Sequence, residues 1–428
     1  MSESLLLLAP LALCASGVAL LLFRASPRTT FVVWTLVLFF VPIWIGATAG
    51  FFWAAIILVT LAAIASNLSD LRLTAVDGLV AVLALLVLLL LALNLSTLSA
   101  AVIALLQWIV PYIWGRIVLA RTGARFVTRT IAVVATAAAL LALVEFATGV
   151  NVFVLVPGEG PFEEWSALQQ RASFLRAEGA FGHSIALGAA LAMSTAFIIA
   201  ARWRPPATLL ALAVVVGALV VTFSRIGMLT GALTIALSLV LLPGLDRGTR
   251  WAIGAVGAVG VALLLPFIGD VFVGAGDEAA GSAEYRTGQL SLLSQVQLLG
   301  GAEDWSTRVS DGVYLGAYAE SVDNTLLLIA LRFGWVPVLL VVAVLGAIVL
   351  GMLGRRANPA AIAVAAQLPG LVAVALITQF GILLWFLAGL AVAWRALEAD
   401  RAAAGDPALL SRVPPRLQPV GGAAPSAA

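Results

Sequence analysis

The chain has no lysine. All 23 of its basic residues are arginine, and charged residues of both signs make up only 10% of its 428 positions. A water-soluble chain carries roughly a quarter charged residues, so a soluble globular protein is excluded. The single cysteine, Cys14, permits no intrachain disulfide, and with one histidine, His183, no Cys/His metal cluster can form. The sequence also lacks a Walker-type glycine loop, a repeat of 20 to 50 residues and any segment with the marks of nucleic-acid binding.

What fills the chain is apolar: 63% hydrophobic residues and a mean hydropathy of +1.13. The apolar residues fall in runs of about 17 to 22, the length a helix needs to cross hydrocarbon; strands of a membrane barrel would alternate every second residue. The expectation is an all-α, polytopic transmembrane helix bundle of about 12–13 spans. The runs lie near 5–23, 31–46, 50–66, 77–94, 98–115, 130–148, 183–201, 206–222, 226–242, 251–269, 335–353, 361–378 and 380–396. The first has no basic residue before it and is too long for a signal-peptide core, so it reads as a retained helix.

Arginine resists translocation and collects in cytoplasmic connections. On this division 17 of the 23 arginines share one side, including Arg24, Arg28, Arg72, Arg116 to Arg129, Arg202, Arg204, Arg247, Arg250 and the tail. Arg171, Arg176, Arg225, Arg286, Arg308 and Arg332 take the other side, with most of the acidic residues. The amino terminus is expected outside and the carboxyl terminus in the cytoplasm. Trp203, Trp251 and Trp394 fall at inner boundaries, and Trp44, Trp53 and Trp335 at outer ones, as interfacial belts do.

The organisation that follows is N-terminal spans over 1–149, a first external segment over 150–182, central spans over 183–269, a large external loop over 270–334, C-terminal spans over 335–397 and a tail over 398–428. The Ala-, Pro- and Gly-rich tail cannot bury enough apolar surface to fold. In the first external segment, Phe162, Trp165, Leu168, Ala172 and Leu175 stand at helical spacing after Pro161, which predicts a helix lying on the membrane surface. The large loop repeats this more weakly with Tyr285, Leu292, Leu293, Val296 and Leu299 before Gly300-Gly301, and from Asp270 to Asp323 it holds nine carboxylates against Arg286 and Arg308.

Arg225, in Thr222-Phe223-Ser224-Arg225-Ile226-Gly227, stands in a short external connection and in the first turn of a helix, where the macrodipole repels a cation. A bound phosphate or diphosphate would remove that penalty, held by the guanidinium fork, the Ser224 hydroxyl and the helix N–H groups. Pairing with an internal carboxylate such as Glu145 would do the same. Asp323 opens Asp323-Asn324-Thr325-Leu326, where it either caps a short helix that runs past Arg332 to Gly334 or accepts a proton from a sugar hydroxyl. His183, in Gly182-His183-Ser184, marks the re-entry of the first external segment into the membrane as an interface residue or a catalyst.

Three stretches together resemble the O-antigen ligase and polymerase superfamily of membrane glycosyltransferases. They are Arg176-Ala177-Glu178-Gly179-Ala180-Phe181-Gly182-His183-Ser184; Ser224-Arg225; and the loop from Arg286 to Asp323-Asn324 and Arg332-Phe333-Gly334-Trp335. Ligases of the superfamily usually place His before the Asn; Asp323 at that position looks more like the polymerases. The resemblance implies a GT-C-like fold and a metal-independent transfer with no cofactor. The partners it implies are a polyprenyl-diphosphate-linked glycan donor and acceptor, membrane lipid, and a flippase or chain-length regulator, at the bacterial plasma membrane. On it, Arg225, Arg286, Arg176 and Ser224 are expected to bind the diphosphate, and Asp323 to act as base with Glu320 and His183 in reserve. Ligase-type transfer to another acceptor and a polysaccharide transporter or flippase are the alternatives. A carrier would need a polar path through the spans, where Glu145 is the one carboxylate expected well inside.

Overall fold

The computed structural model describes residues 17–18, 20–49, 51–68, 71–156, 168–171, 174–274, 288–302, 309–310, 313–314, 322–352 and 357–403. These are mostly helical. The first helices are α1 (Pro27–Phe40), α2 (Ala55–Ser66), α3 (Ala75–Ala92), α4 (Leu98–Thr122) and α5 (Ala124–Thr148). After the first external segment come α6 (Ser184–Ala200), α7 (Pro205–Val221), α8 (Arg225–Leu241) and α9 (Arg247–Gly274). The last are α10 (Thr325–Phe333), α11 (Trp335–Leu350), α12 (Pro359–Leu371) and α13 (Thr378–Ala403).

Among the described residues, α3, α4, α5 and α13 (to Arg401) are long and apolar enough to cross a bilayer. Seven other apolar helices are 10–17 residues long. The described chain is therefore mostly helical, with apolar helices that suit a membrane, and among the described residues fewer of them reach spanning length than the sequence predicts. α3 shows why lipid is the right surroundings. Val80, Leu83, Val87 and Leu90 are buried, while Val82, Leu85, Leu88 and Leu89 on its other side stay exposed. An apolar face of that extent is stable only against hydrocarbon.

The predicted runs at 31–46 and 50–66 are each shortened. Between α1 and α2 the chain makes an antiparallel hairpin, β1 (Gly46–Ala49) with β2 (Phe51–Ala54), register Gly46 to Ala54 and Ala49 to Phe51. Pro42 breaks the helix, and the aromatic triplet Phe51-Phe52-Trp53 favours strand. The terminal tail also begins later than expected, because α13 continues through Ala403 with Asp400 paired to Arg72. Most of the first predicted run lies outside the described residues.

α4 and α13 cross with backbones in contact. A Cβ on Gly115 would fall on the Phe386 carbonyl, and one on Gly389 on the Tyr112 carbonyl. Only glycine allows this approach. Within α4 the turn at Ala104–Ile109 is a π-helix, widened just before Pro111, whose ring a regular turn would drive into the carbonyl four residues back. Arg116, expected in a connection, lies inside α4 and is buried. Its Nε donates to Asp77 Oδ1 at 2.7 Å and its Nη2 to Oδ2 at 2.9 Å, while the Tyr112 hydroxyl donates to Oδ1 at 2.8 Å.

α6 occupies the centre. Every residue from Ala186 to Ile199 is buried, against α5, α7, α8 and α12. Small residues make this possible: Gly188 of α6 faces Gly227 of α8, where a Cβ would come within 3.1 Å of the Gly188 Cα. This contact sets the first turns of α6 and α8 side by side.

Candidate functional site

The site is assembled at the end of the bundle where α5, α7 and α12 finish and α6 and α8 begin. Glu145, in the last turn of α5, is buried. Its Oε1 accepts from the Asn151 amide at 2.9 Å and the Glu178 N–H at 3.0 Å, and its Oε2 from the Gly179 N–H at 2.9 Å. The carboxylate thus caps the turn before α6 and takes its partners there, instead of pairing with Arg225. The same turn is fixed from the other side by Gln379 of α13, whose amide donates to the Ala180 carbonyl at 3.2 Å and the Val41 carbonyl at 3.1 Å.

Arg176 is buried and reaches across to the connection between α7 and α8. Its Nε donates to the Thr222 carbonyl at 3.0 Å and its Nη1 to Gln169 Oε1 at 3.3 Å. The backbone joins there as well, with the Ala177 N–H on the Val221 carbonyl at 3.1 Å. The two stretches that are 46 residues apart in sequence therefore form one structure. Gln169 belongs to the described part of the predicted surface helix, and this part is not helical. Gln170–Arg171 and Phe174–Leu175 pair as antiparallel strands β3 and β4, and Arg176 and Glu178 hold Gln169 beside them. Tertiary hydrogen bonds outweigh the helical spacing here; residues 157–167 lie outside the description.

His183 caps α6. Its Nδ1 accepts from the Ile185 N–H at 3.1 Å, so the ring proton sits on Nε2 and the ring presents a donor. Next to it, the Ser184 hydroxyl donates to Gln169 Oε1 at 3.3 Å.

Ser224 caps α8, its Oγ accepting from the Gly227 N–H at 3.1 Å, and is buried. Phe223 before it has φ of +47° and is held between Phe146 and Phe174, with ring centroids at 5.9 and 5.8 Å. That aromatic clamp keeps a non-glycine residue in the left-handed region and directs the chain into α8. Arg225, the first residue of α8, is exposed.

Asp323 is half-buried and sits one residue before the cap of α10. The cap is Asn324 and not Asp323: Asn324 Oδ1 accepts from the Leu327 N–H at 3.0 Å, and Gly334, φ +92°, ends the helix. Thr325 then binds the Val374 carbonyl through both its N–H, at 3.1 Å, and its hydroxyl, at 2.7 Å. Val374 follows α12, whose Gly370 faces Ile226 and Thr230 of α8. Asp323 is in this way carried to the same end of the bundle as Arg225. Arg286 and Glu320 lie outside the described residues.

Glu178 is the residue that sequence reasoning passed over. It is buried, and its Oε1 accepts from the Gln169 N–H at 2.9 Å. Burial, with the nearby Glu145 carboxylate adding to it, pushes its pKa up to about 7 against the pull of the Gln169 N–H and Arg176. The available signal was a lone acid between Arg176 and His183 in an otherwise Ala- and Gly-rich re-entry. Among the described residues no group of three His, Cys, Asp or Glu side chains is placed to hold a metal. No protein-family model, curated protein or solved structure matches the chain.

Proposed function

We propose that the chain is a membrane glycosyltransferase that extends or transfers polyprenyl-diphosphate-linked glycan on the extracytoplasmic face, of the polymerase or ligase type. The observation that carries this reading is the Arg176 bond to the Thr222 carbonyl. It joins the Arg176–Ser184 stretch to Ser224-Arg225, two of the three stretches on which the family resemblance rests. A fold in which they lay apart would have left the resemblance without a site.

In this proposal Arg225, with Arg286 from the large loop, neutralises the donor's diphosphate. Arg176 and Ser224 act one step back: the first pins the turn, the second caps α8, and together they fix where Arg225 emerges. Asp323 takes the proton of the acceptor hydroxyl, whose oxygen then attacks the donor's anomeric carbon. The bond from that carbon to the diphosphate oxygen breaks, and polyprenyl diphosphate leaves as an anion. Diphosphate is already a good leaving group, so charge neutralisation and proton removal are the two tasks left to protein groups. His183 and Glu320 stay in reserve as the base. In cells the bundle would lie in the bacterial plasma membrane with its arginine-rich end in the cytoplasm.

The test is extension of lipid-linked repeat units by membranes carrying Arg225→Lys or Asp323→Asn. Lysine keeps the charge and loses the bidentate fork. Both variants are expected to slow extension by about 100-fold or more, in the range of a lost transition-state contact. Extension at the parental rate by either variant would remove that residue from the mechanism, and by both would end the proposal.

A further inference from the structure

A second site lies at the opposite, arginine-rich end. Arg28 at the start of α1, Arg125 and Arg129 at the start of α5, and Arg401 at the end of α13 line a cavity of about 940 Å³. A smaller cavity of about 420 Å³ adjoins it and shares Arg125 and Arg401; Glu398 lines this smaller one and not the larger. Arg28, Arg125 and Arg401 are exposed, and Arg129 is half-buried. The ion pairs of Arg72 with Asp400 and of Arg116 with Asp77 involve none of these four. Two of them have weak local contacts: Arg28 lies 5.4 Å from the centre of the Phe126 ring, and Arg129 Nε is 3.4 Å from the Ala201 carbonyl.

Four arginines line this cavity and no carboxylate is among its described lining residues, which favours an anion there. The same cavity also has an apolar lining in Val32, Val133 and Val134. From Val133 the apolar surface continues along α5 through Leu140, Leu141 and Val144, all exposed and on one helical face. The site therefore has a polar head and an apolar track leading from it toward the bilayer interior. We infer that it holds an anionic glycerophospholipid, with the headgroup phosphate on Arg28, Arg125, Arg129 and Arg401 and one acyl chain along Val133 to Val144. A free phosphate would use the guanidinium groups and leave the apolar track bare. Basic pockets between helices at the cytoplasmic surface are the usual place for such lipids, and the arginine distribution of the sequence puts this end there.

The experiment is native mass spectrometry of the full-length chain, extracted in detergent and offered equimolar phosphatidylglycerol and phosphatidylcholine. Phosphatidylglycerol is expected to be retained in about tenfold excess. Each guanidinium removed, in Arg125→Gln and then Arg125→Gln with Arg28→Gln, is expected to lower that excess by about fivefold until it vanishes. Arg247→Gln, an exposed arginine at the same end but outside the cavity, should leave it unchanged. Glycerol 3-phosphate, the soluble headgroup alone, should fail to displace the bound lipid at millimolar concentration. Equal retention of the two lipids by the parent chain would overturn the inference without recourse to any variant. So would parental retention by the double variant, an equal loss in Arg247→Gln, or displacement by glycerol 3-phosphate.

Discussion

Glu178 gives the sharpest test of how the candidate site is held. Its carboxyl is raised from 4.5 to about 7 in the folded chain. A raised acid favours the folded state while it is protonated. That stability is complete below pH 4.5 and is lost as pH rises to about 7, because the unfolded chain then ionises freely and the folded chain resists. The full difference is about 3 kcal/mol, and most of it falls between pH 5 and 8. Glu178→Gln removes the titration but keeps the side-chain oxygen that accepts from the Gln169 N–H. Unfolding of purified protein by increasing denaturant in mixed micelles, repeated across this pH range, gives the slope for parent and variant. The parent should lose most of that difference relative to the Glu178→Gln protein over the range, and the variant should be the more stable of the two at pH 8. Parallel profiles would refute the burial argument, since they would show that the carboxyl titrates alike in both states.

Two further outcomes concern the bundle itself. Arg116→Met leaves the half-buried Asp77 without its bidentate partner and should cost up to about 3 kcal/mol; adding Asp77→Asn to it should recover much of this, and a neutral single variant would mean that the pair is not desolvated. Gly389→Ala sets a methyl group against the Tyr112 carbonyl, so α4 and α13 must separate. Overpacking of this kind costs about 1 to 3 kcal/mol or more, read as loss of monodisperse protein on gel filtration after extraction; parental recovery would show that the crossing has slack.

Helix positions were legible because long apolar runs in a chain with so little charge leave few alternatives. The hairpin between α1 and α2 was not, since Phe51-Phe52-Trp53 is as hydrophobic as any span and hydropathy does not distinguish strand from helix. Arg116 misled for a related reason: a basic residue at the end of an apolar run reads as a connection until Asp77, 39 residues earlier, is seen to pair with it. At the candidate site, Arg225 stood out by its position against a helix start, and the structure keeps it there. The joining of Arg176 to Thr222 depends on how α5, α6 and α8 pack and has no local signature. The spacing from Phe162 to Leu175 predicted a helix where Gln169 is instead drawn into hydrogen bonds with Arg176 and Glu178. Asp323 gave up the capping role to its neighbour because both residues are good caps and only the extended backbone at Asn324 decides between them.

The Gln379 amide spends its two hydrogens on carbonyls that are 139 residues apart, one ending α1 and one preceding α6. Three distant parts of the polypeptide are knotted at one nitrogen. Loosening any of them strips the knot from the other two, so this rim of the molecule should open in a single cooperative event, and the amide protons around Val41, Ala180 and Gln379 should exchange with solvent in step.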